Sequence, residues 1–156
     1  MDSEPTRRPD ATAPAKSADT TGRLTEGSGD FEAAIATAQP GAQEDLRRYT
    51  AWAKQLEAEG LVRLQTYLGP TQMITLLPRL RAEGVGLVTI YNDRGNAYLQ
   101  LWRKVIERNA PELIERIERL LAPTTLRQGN SARNVSAEAL AAFTEAYRVA
   151  AGRSLA

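Results

Sequence analysis

The stretch "GLVTIYNDRGNAYLQLW", residues 86–102, decides the fold. Its centre is Asn92-Asp93-Arg94-Gly95. Asn and Asp bond their own backbone and tolerate turn geometry, and Gly supplies positive φ, so these four residues suit a tight connection between two strands. On that reading Leu87–Asn92 and Asn96–Leu101 are the third and fourth strands of a sheet. Val88, Ile90, Leu99 and Leu101 then point one way, and Thr89, Tyr91, Tyr98 and Gln100 the other. A competing reading starts a helix at Tyr98, because Leu101, Trp102, Val105 and Ile106 also share a helical face, and leaves three strands. A chemical reading makes Asp93 a metal ligand or general base and Arg94 an anion clamp, with Tyr91 and Asn92 beside them. Turn chemistry alone accounts for the same residue types.

Working outward, "LVRLQTYL" (61–68) and "TQMITLL" (71–77) alternate with period 2 around Gly69-Pro70 and predict a hairpin that Pro78 ends. "RLRAEGVG" then connects to the third strand. Upstream the period is helical. Asp30 is the expected N-cap of a short helix over Phe31–Ala38, ended by Pro40-Gly41. A longer helix, Gln43–Glu59, carries Leu46, Tyr49, Ala53 and Leu56 on one face and stops at Gly60. Downstream, helix is under way by Trp102, stops near Asn109 and restarts at Pro111. Residues 122–135 read as a long connection, in which Arg127, Gln128, Asn130 and Arg133 suit binding a phosphate or a partner backbone. Ser136 caps a last helix, Ala137–Ala151, with Leu140, Phe143, Tyr147 and Ala150 as its core stripe.

The expected architecture is a single α+β domain over residues 30–152, an antiparallel meander of three or four strands with helices packed on one face. Residues 1–29, rich in Pro, Ser, Thr, Asp and Gly, are expected to be a disordered tail, and residues 153–156 a short C-terminal one.

Composition removes most catalytic chemistry. The 156 residues include no Cys and no His, so disulfides, thiolate or imidazole metal sites and His-based nucleophile pairs are excluded within this chain. No carboxylate cluster suggests a metal, and no cofactor, metal site or catalytic residue is expected. The chain has no apolar run long enough to span a bilayer and no secretory pattern, so no membrane partner and a cytoplasmic location are expected.

Three surfaces remain as candidates. Between Leu61 and Lys104, Arg63, Arg79, Arg81, Arg94, Arg103 and Lys104 stand against only Glu83 and Asp93, a basic strand region that attracts phosphates. The polar side of the sheet gathers Arg63, Gln65, Tyr67, Thr89, Tyr91, Tyr98 and Gln100, aromatics interleaved with a cation as in platforms for unpaired bases. The run "LRRYTAWAKQLEAEGLVRL", followed by a Gly-Pro turn and "MITLLPRL", resembles the recognition helix and wing of winged-helix regulators over Gln43–Leu80. That resemblance implies Arg47, Arg48 and Lys54 facing a major groove, with the wing around Gly69. The leading expectation is a small non-enzymatic module that contacts nucleic acid through the basic strand region. The alternative is a protein-interaction or regulatory subunit, or a homodimer, using Trp52, Trp102, Phe143 or Tyr147 as an anchor. An enzyme with its site at residues 91–95 comes third.

Overall fold

The computed structural model describes residues 22–155. Six strands form one antiparallel sheet whose spatial order is the chain order: β1 (Arg23–Glu26), β2 (Val62–Leu68), β3 (Met73–Leu80), β4 (Val88–Asp93), β5 (Asn96–Leu101) and β6 (Asn130–Ala132). The helices are α1 (Gly29–Ile35), α2 (Pro40–Ala58), α3 (Arg103–Asn109), α4 (Ile114–Leu121, entered through a 3-10 turn at Pro111–Leu113) and α5 (Ala137–Leu155). The class is therefore α+β with an antiparallel sheet, but the strand count is six, not three or four. Both extra strands are edges. β1 comes from residues expected in the tail, and β6 from the expected 122–135 connection. The rest of that tail, residues 1–21, lies outside the described residues.

The opening stretch is a hairpin. Val88–Asp93 pairs with Asn96–Leu101, Arg94 and Gly95 have φ of 51° and 89°, and the Asn92 side chain accepts a bond from the Gly95 N–H at 3.0 Å. Positive φ at both central residues is the type I′ geometry that matches strand twist. Helix begins only at Arg103, so the reading with a helix from Tyr98 is excluded. The first hairpin turns two residues later than Gly69-Pro70. Its central residues are Thr71 and Gln72, at φ 57° and 64°, and β3 starts at Met73.

The core lies where one parity of the strands meets α1, α2 and α5. Val62, Leu64, Leu76, Ile90, Leu99 and Leu101 join Phe31, Leu46, Leu56, Phe143 and Tyr147 in one buried cluster. Pro78 does not end its strand, as β3 continues to Leu80 and pairs with β2 throughout. The missing N–H faces β4, and there the two strands part. Tyr147 fills the gap from α5: its hydroxyl donates to Pro78 O at 2.7 Å and accepts from the N–H groups of Leu87 and Val88 at 3.0 and 3.4 Å. Gly86 is required beside it, because a Cβ there would stand 2.9 Å from Pro78 O. Tyr49 does similar work from α2, accepting the Val135 N–H at 3.0 Å, while Arg48 donates to Val135 O at 2.9 Å.

Several boundaries move for identifiable reasons. Ser28, not Asp30, precedes α1, and its hydroxyl bonds the Glu32 carboxylate. Pro40 opens α2 instead of ending α1, since its fixed φ fits the first helical position. α5 runs from Ala137 through Gly152 to Leu155. The β2–β3 hairpin lies inside the sheet, with β1 paired to β2 and β4 to β3, and does not project from it as a wing does.

Candidate interaction face

The registers align side chains on the other side of the sheet into rows that cross all its strands. One row is Leu24, Tyr67, Thr75, Tyr91 and Tyr98, and it ends at Arg133, one residue past β6. The row beside it is Glu26, Gln65, Leu77, Thr89, Gln100 and Ser131. Period-2 alternation requires this grouping once the inward parity is filled by the core. Six of the seven polar-side residues expected from the sequence, Gln65, Tyr67, Thr89, Tyr91, Tyr98 and Gln100, stand in these two rows. Arg63 stands opposite Arg79 in the next one.

The aromatic rings are held flat. Tyr91 and Tyr98 stack with centroids 4.9 Å apart and planes 9° apart, and the Arg133 guanidinium lies 5.1 Å from the Tyr98 ring centre. The Tyr98 hydroxyl donates to Asp93 at 2.9 Å. Burial, and then that bond and the Asp93 charge, push the Tyr98 phenol up to about 12. Tyr67 lies over Gly22 and Gly69, where a Cβ would fall 1.8 Å and 3.2 Å from its ring or hydroxyl atoms. Ring over glycine is a known way to cover strand positions that lack side chains.

Between these rings and the end of the sheet runs a groove of about 670 Å³. Leu24, Tyr67, Met73 and Leu77 line its floor, and Val85, Trp102 and Val105 close one end. Trp102 is fixed there by its Nε1–H bond to Thr89 at 2.9 Å. Leu24 and Tyr67, 47% and 38% exposed, are the large hydrophobic residues left open to solvent among those described. They are direct cross-strand neighbours at the β1 edge.

Polar groups on this face are largely bonded to one another. Arg63 pairs with Glu26 at 2.9 Å, Arg79 donates to Gln65 at 3.0 Å, and Glu26 also accepts from Gln65 at 2.8 Å. Hydrogen bonds from Gln65 and then Arg63 hold the Glu26 carboxyl below its ordinary range. With Arg133 the face carries three arginines against the carboxylates Glu26 and Asp93.

The expected nucleic-acid residues do not form one surface. Arg63, Tyr67, Arg79, Tyr91 and Tyr98 share the open face. Arg94 sits in the β4–β5 turn, bonded to Asp93 at 3.2 Å, and Arg81 in the exposed turn after β3. Arg103 is bound by Glu107, Glu118 and the Leu126 carbonyl, next to Lys104 at the start of α3. Arg47, Arg48 and Lys54 lie on α2, on the core side. Arg48 is paired with Asp45, Lys54 with Glu32, and Arg47 and Lys54 line a separate hollow of about 460 Å³ against α1. The expected anchors are placed differently too. Phe143 and Tyr147 are buried, and Trp52 is half-buried with its Nε1–H on Leu140 O and Thr144. The residues proposed as an enzyme site belong to the turn and its ladder, and among the described residues no group of three acidic side chains is placed to hold a metal. No described helix is long and apolar enough to cross a membrane.

Sequence reasoning missed Leu24, Met73, Leu77, Val85 and Val105 as parts of this face. For Met73 and Leu77 the signal was present, since they share the parity of Thr75 along β3. Leu24 gave none, standing alone in a polar segment. Compared with known proteins, the chain matches no family model, no curated protein and no solved structure.

Proposed function

We infer that this chain is a non-enzymatic protein-interaction module that works through the open face of its sheet. One observation carries the reading: the groove there is floored and walled mainly by apolar side chains, Leu24, Tyr67, Met73, Leu77, Val85, Trp102 and Val105, while the flanking Arg63 and Glu26 pair with each other. An apolar, aromatic-edged concavity with a polar rim is the anatomy of a protein-binding hot spot. A phosphate backbone selects an excess of unpaired cations, and the cations named from the sequence are divided between both sides of the sheet or bound to carboxylates.

The test is selection of short peptides displayed on phage against the full chain, followed by binding of the winners to variants. Enrichment of apolar and aromatic residues, with binding lost in Leu77→Asp and kept in Arg47→Glu on the opposite side, supports the reading. Peptides indifferent to Leu77→Asp overturn it. A parallel titration with labelled single-stranded DNA, duplex DNA and RNA across a salt series provides the competing outcome. Single-strand binding that weakens steeply with salt and needs Tyr67 and Arg79 would place unpaired bases on this face instead.

A further inference from the structure

We propose that the β1 edge of this face is taken by a second copy of the chain, joined antiparallel so that Leu24 of one protomer faces Leu24 of the other. The proposal rests on the open face being a protein-binding surface, and it names the partner and the register.

β1 is a sheet edge among the described residues. Its hydrogen-bonding parity follows from one bond. Gly27 N–H donates to Leu64 O at 2.8 Å, and antiparallel ladders alternate, so Thr25 and Arg23 also turn their backbone groups toward β2. Gly22, Leu24 and Glu26 therefore direct theirs outward. A regular antiparallel partner must meet outward-directed residues with outward-directed residues, so any two-fold register pairs even-numbered positions only. Opposed residues in a ladder lie on the same side of the sheet, and the even positions of β1 are the open-face positions. The two open faces are thus forced onto the same side of a continuous twelve-stranded sheet.

Side chains choose between the allowed registers. Centring on Thr25 sets Leu24 against Glu26 twice, an apolar side chain against a charge. Centring on Leu24 sets Leu24 against Leu24 and each Glu26 against the partner's Gly22, which has no side chain of its own and is covered by the Tyr67 ring, so Glu26 meets no opposing aliphatic chain. This second register shields Leu24 and the rim of Tyr67, the two large hydrophobics left exposed among the described residues. It also runs the row of Leu24, Tyr67, Thr75, Tyr91 and Tyr98 unbroken into its two-fold copy. The strand has four residues and carries Arg23 and Glu26, so the contact is small and the association concentration-dependent, not obligate.

The absence of Cys makes the test direct. Opposed residues of a hydrogen-bonded antiparallel pair have Cα atoms about 5.5 Å apart, within disulfide range. Leu24→Cys should form a covalent dimer under mild oxidation much faster than Arg81→Cys, an exposed control in the turn after β3. Wild-type full chain should sediment as a concentration-dependent dimer, and both Leu24→Lys and Leu24→Pro should be monomeric at the same concentrations. The proline removes only an outward N–H, and the lysine variant keeps the test sound if the proline unfolds the edge. Equal oxidation rates at the two cysteine positions, or a wild-type monomer at the highest concentration reached, sinks the proposal. In that event Leu77→Asp still reports separately on the face, because Leu77 lies two strands in from the edge and takes no part in the β1 contact.

Discussion

The five tyrosines divide between the two sides of the sheet, and the side decides what the hydroxyl does. On the core side, Tyr49 and Tyr147 are fully buried, and each phenol is the sole partner of backbone groups that the ladder does not reach. On the open side, Tyr67, Tyr91 and Tyr98 use their rings. They cover glycines, stack on each other or carry a guanidinium, and the one hydroxyl bond named among them goes to a half-buried carboxylate. A buried phenol is therefore a structural bond and an open-face phenol a surface for contact. Removing oxygens one at a time tests that division.

Tyr147→Phe should have the largest effect. It leaves Pro78 O and the Leu87 N–H without the partner that the buried phenol supplies, at a cost of about 3 kcal/mol. Denaturant unfolding measures it, and a loss below about 1 kcal/mol would mean that the strands close over the gap. Tyr49→Phe should cost about 1 to 2 kcal/mol, because one buried N–H, that of Val135, is orphaned while Arg48 still holds the carbonyl of the same residue. Tyr67→Phe, on the open side, should stay within about 0.5 kcal/mol of wild type. If it destabilises as much as Tyr49→Phe, the contrast between the two sides fails.

This division also explains how far the sequence could be read. Strand alternation across Val62–Leu68, Val88–Asp93 and Asn96–Leu101 is a period-2 signal strong enough to place Tyr67, Tyr91 and Tyr98 on one side without coordinates. The edges were not legible. "RLTE" has one large aliphatic residue among Gly, Ser and Thr neighbours, and "NSA" has none, so both are strands only because a neighbouring ladder offers them bonds. The role of Tyr147 was equally hidden. Its place on a helical stripe predicts burial, whereas its bond to Pro78 depends on a strand separation 69 positions away in sequence. The charge asymmetry of residues 61–104 was real as a count, but two of its cations, Arg63 and Arg103, are paired with carboxylates outside that window, Glu26, Glu107 and Glu118.

Tyr98 combines a small effect on stability with a sharp spectroscopic test. Its hydroxyl donates to Asp93, a carboxylate that also holds Arg94, and the protonated phenol is the form this arrangement favours. The folded value, pushed up to about 12, lies above the ordinary 10, so the bond's contribution is complete below pH 10 and disappears as pH rises through about 12. At neutral pH, Tyr98→Phe should therefore cost less than about 1 kcal/mol, since the pair is half open to solvent. The phenolate absorbance of wild type minus that of Tyr98→Phe should rise only well above pH 10. Asp93→Asn removes both the acceptor's charge and its repulsion of a phenolate, and should bring the midpoint back toward 10. A Tyr98 step at 10 in the wild type would show that Asp93 does not hold the hydroxyl in solution. In that case the stack of Arg133, Tyr98 and Tyr91 would have to be kept flat by its rings alone, and the open face would be more adaptable than its hydrogen bonds suggest.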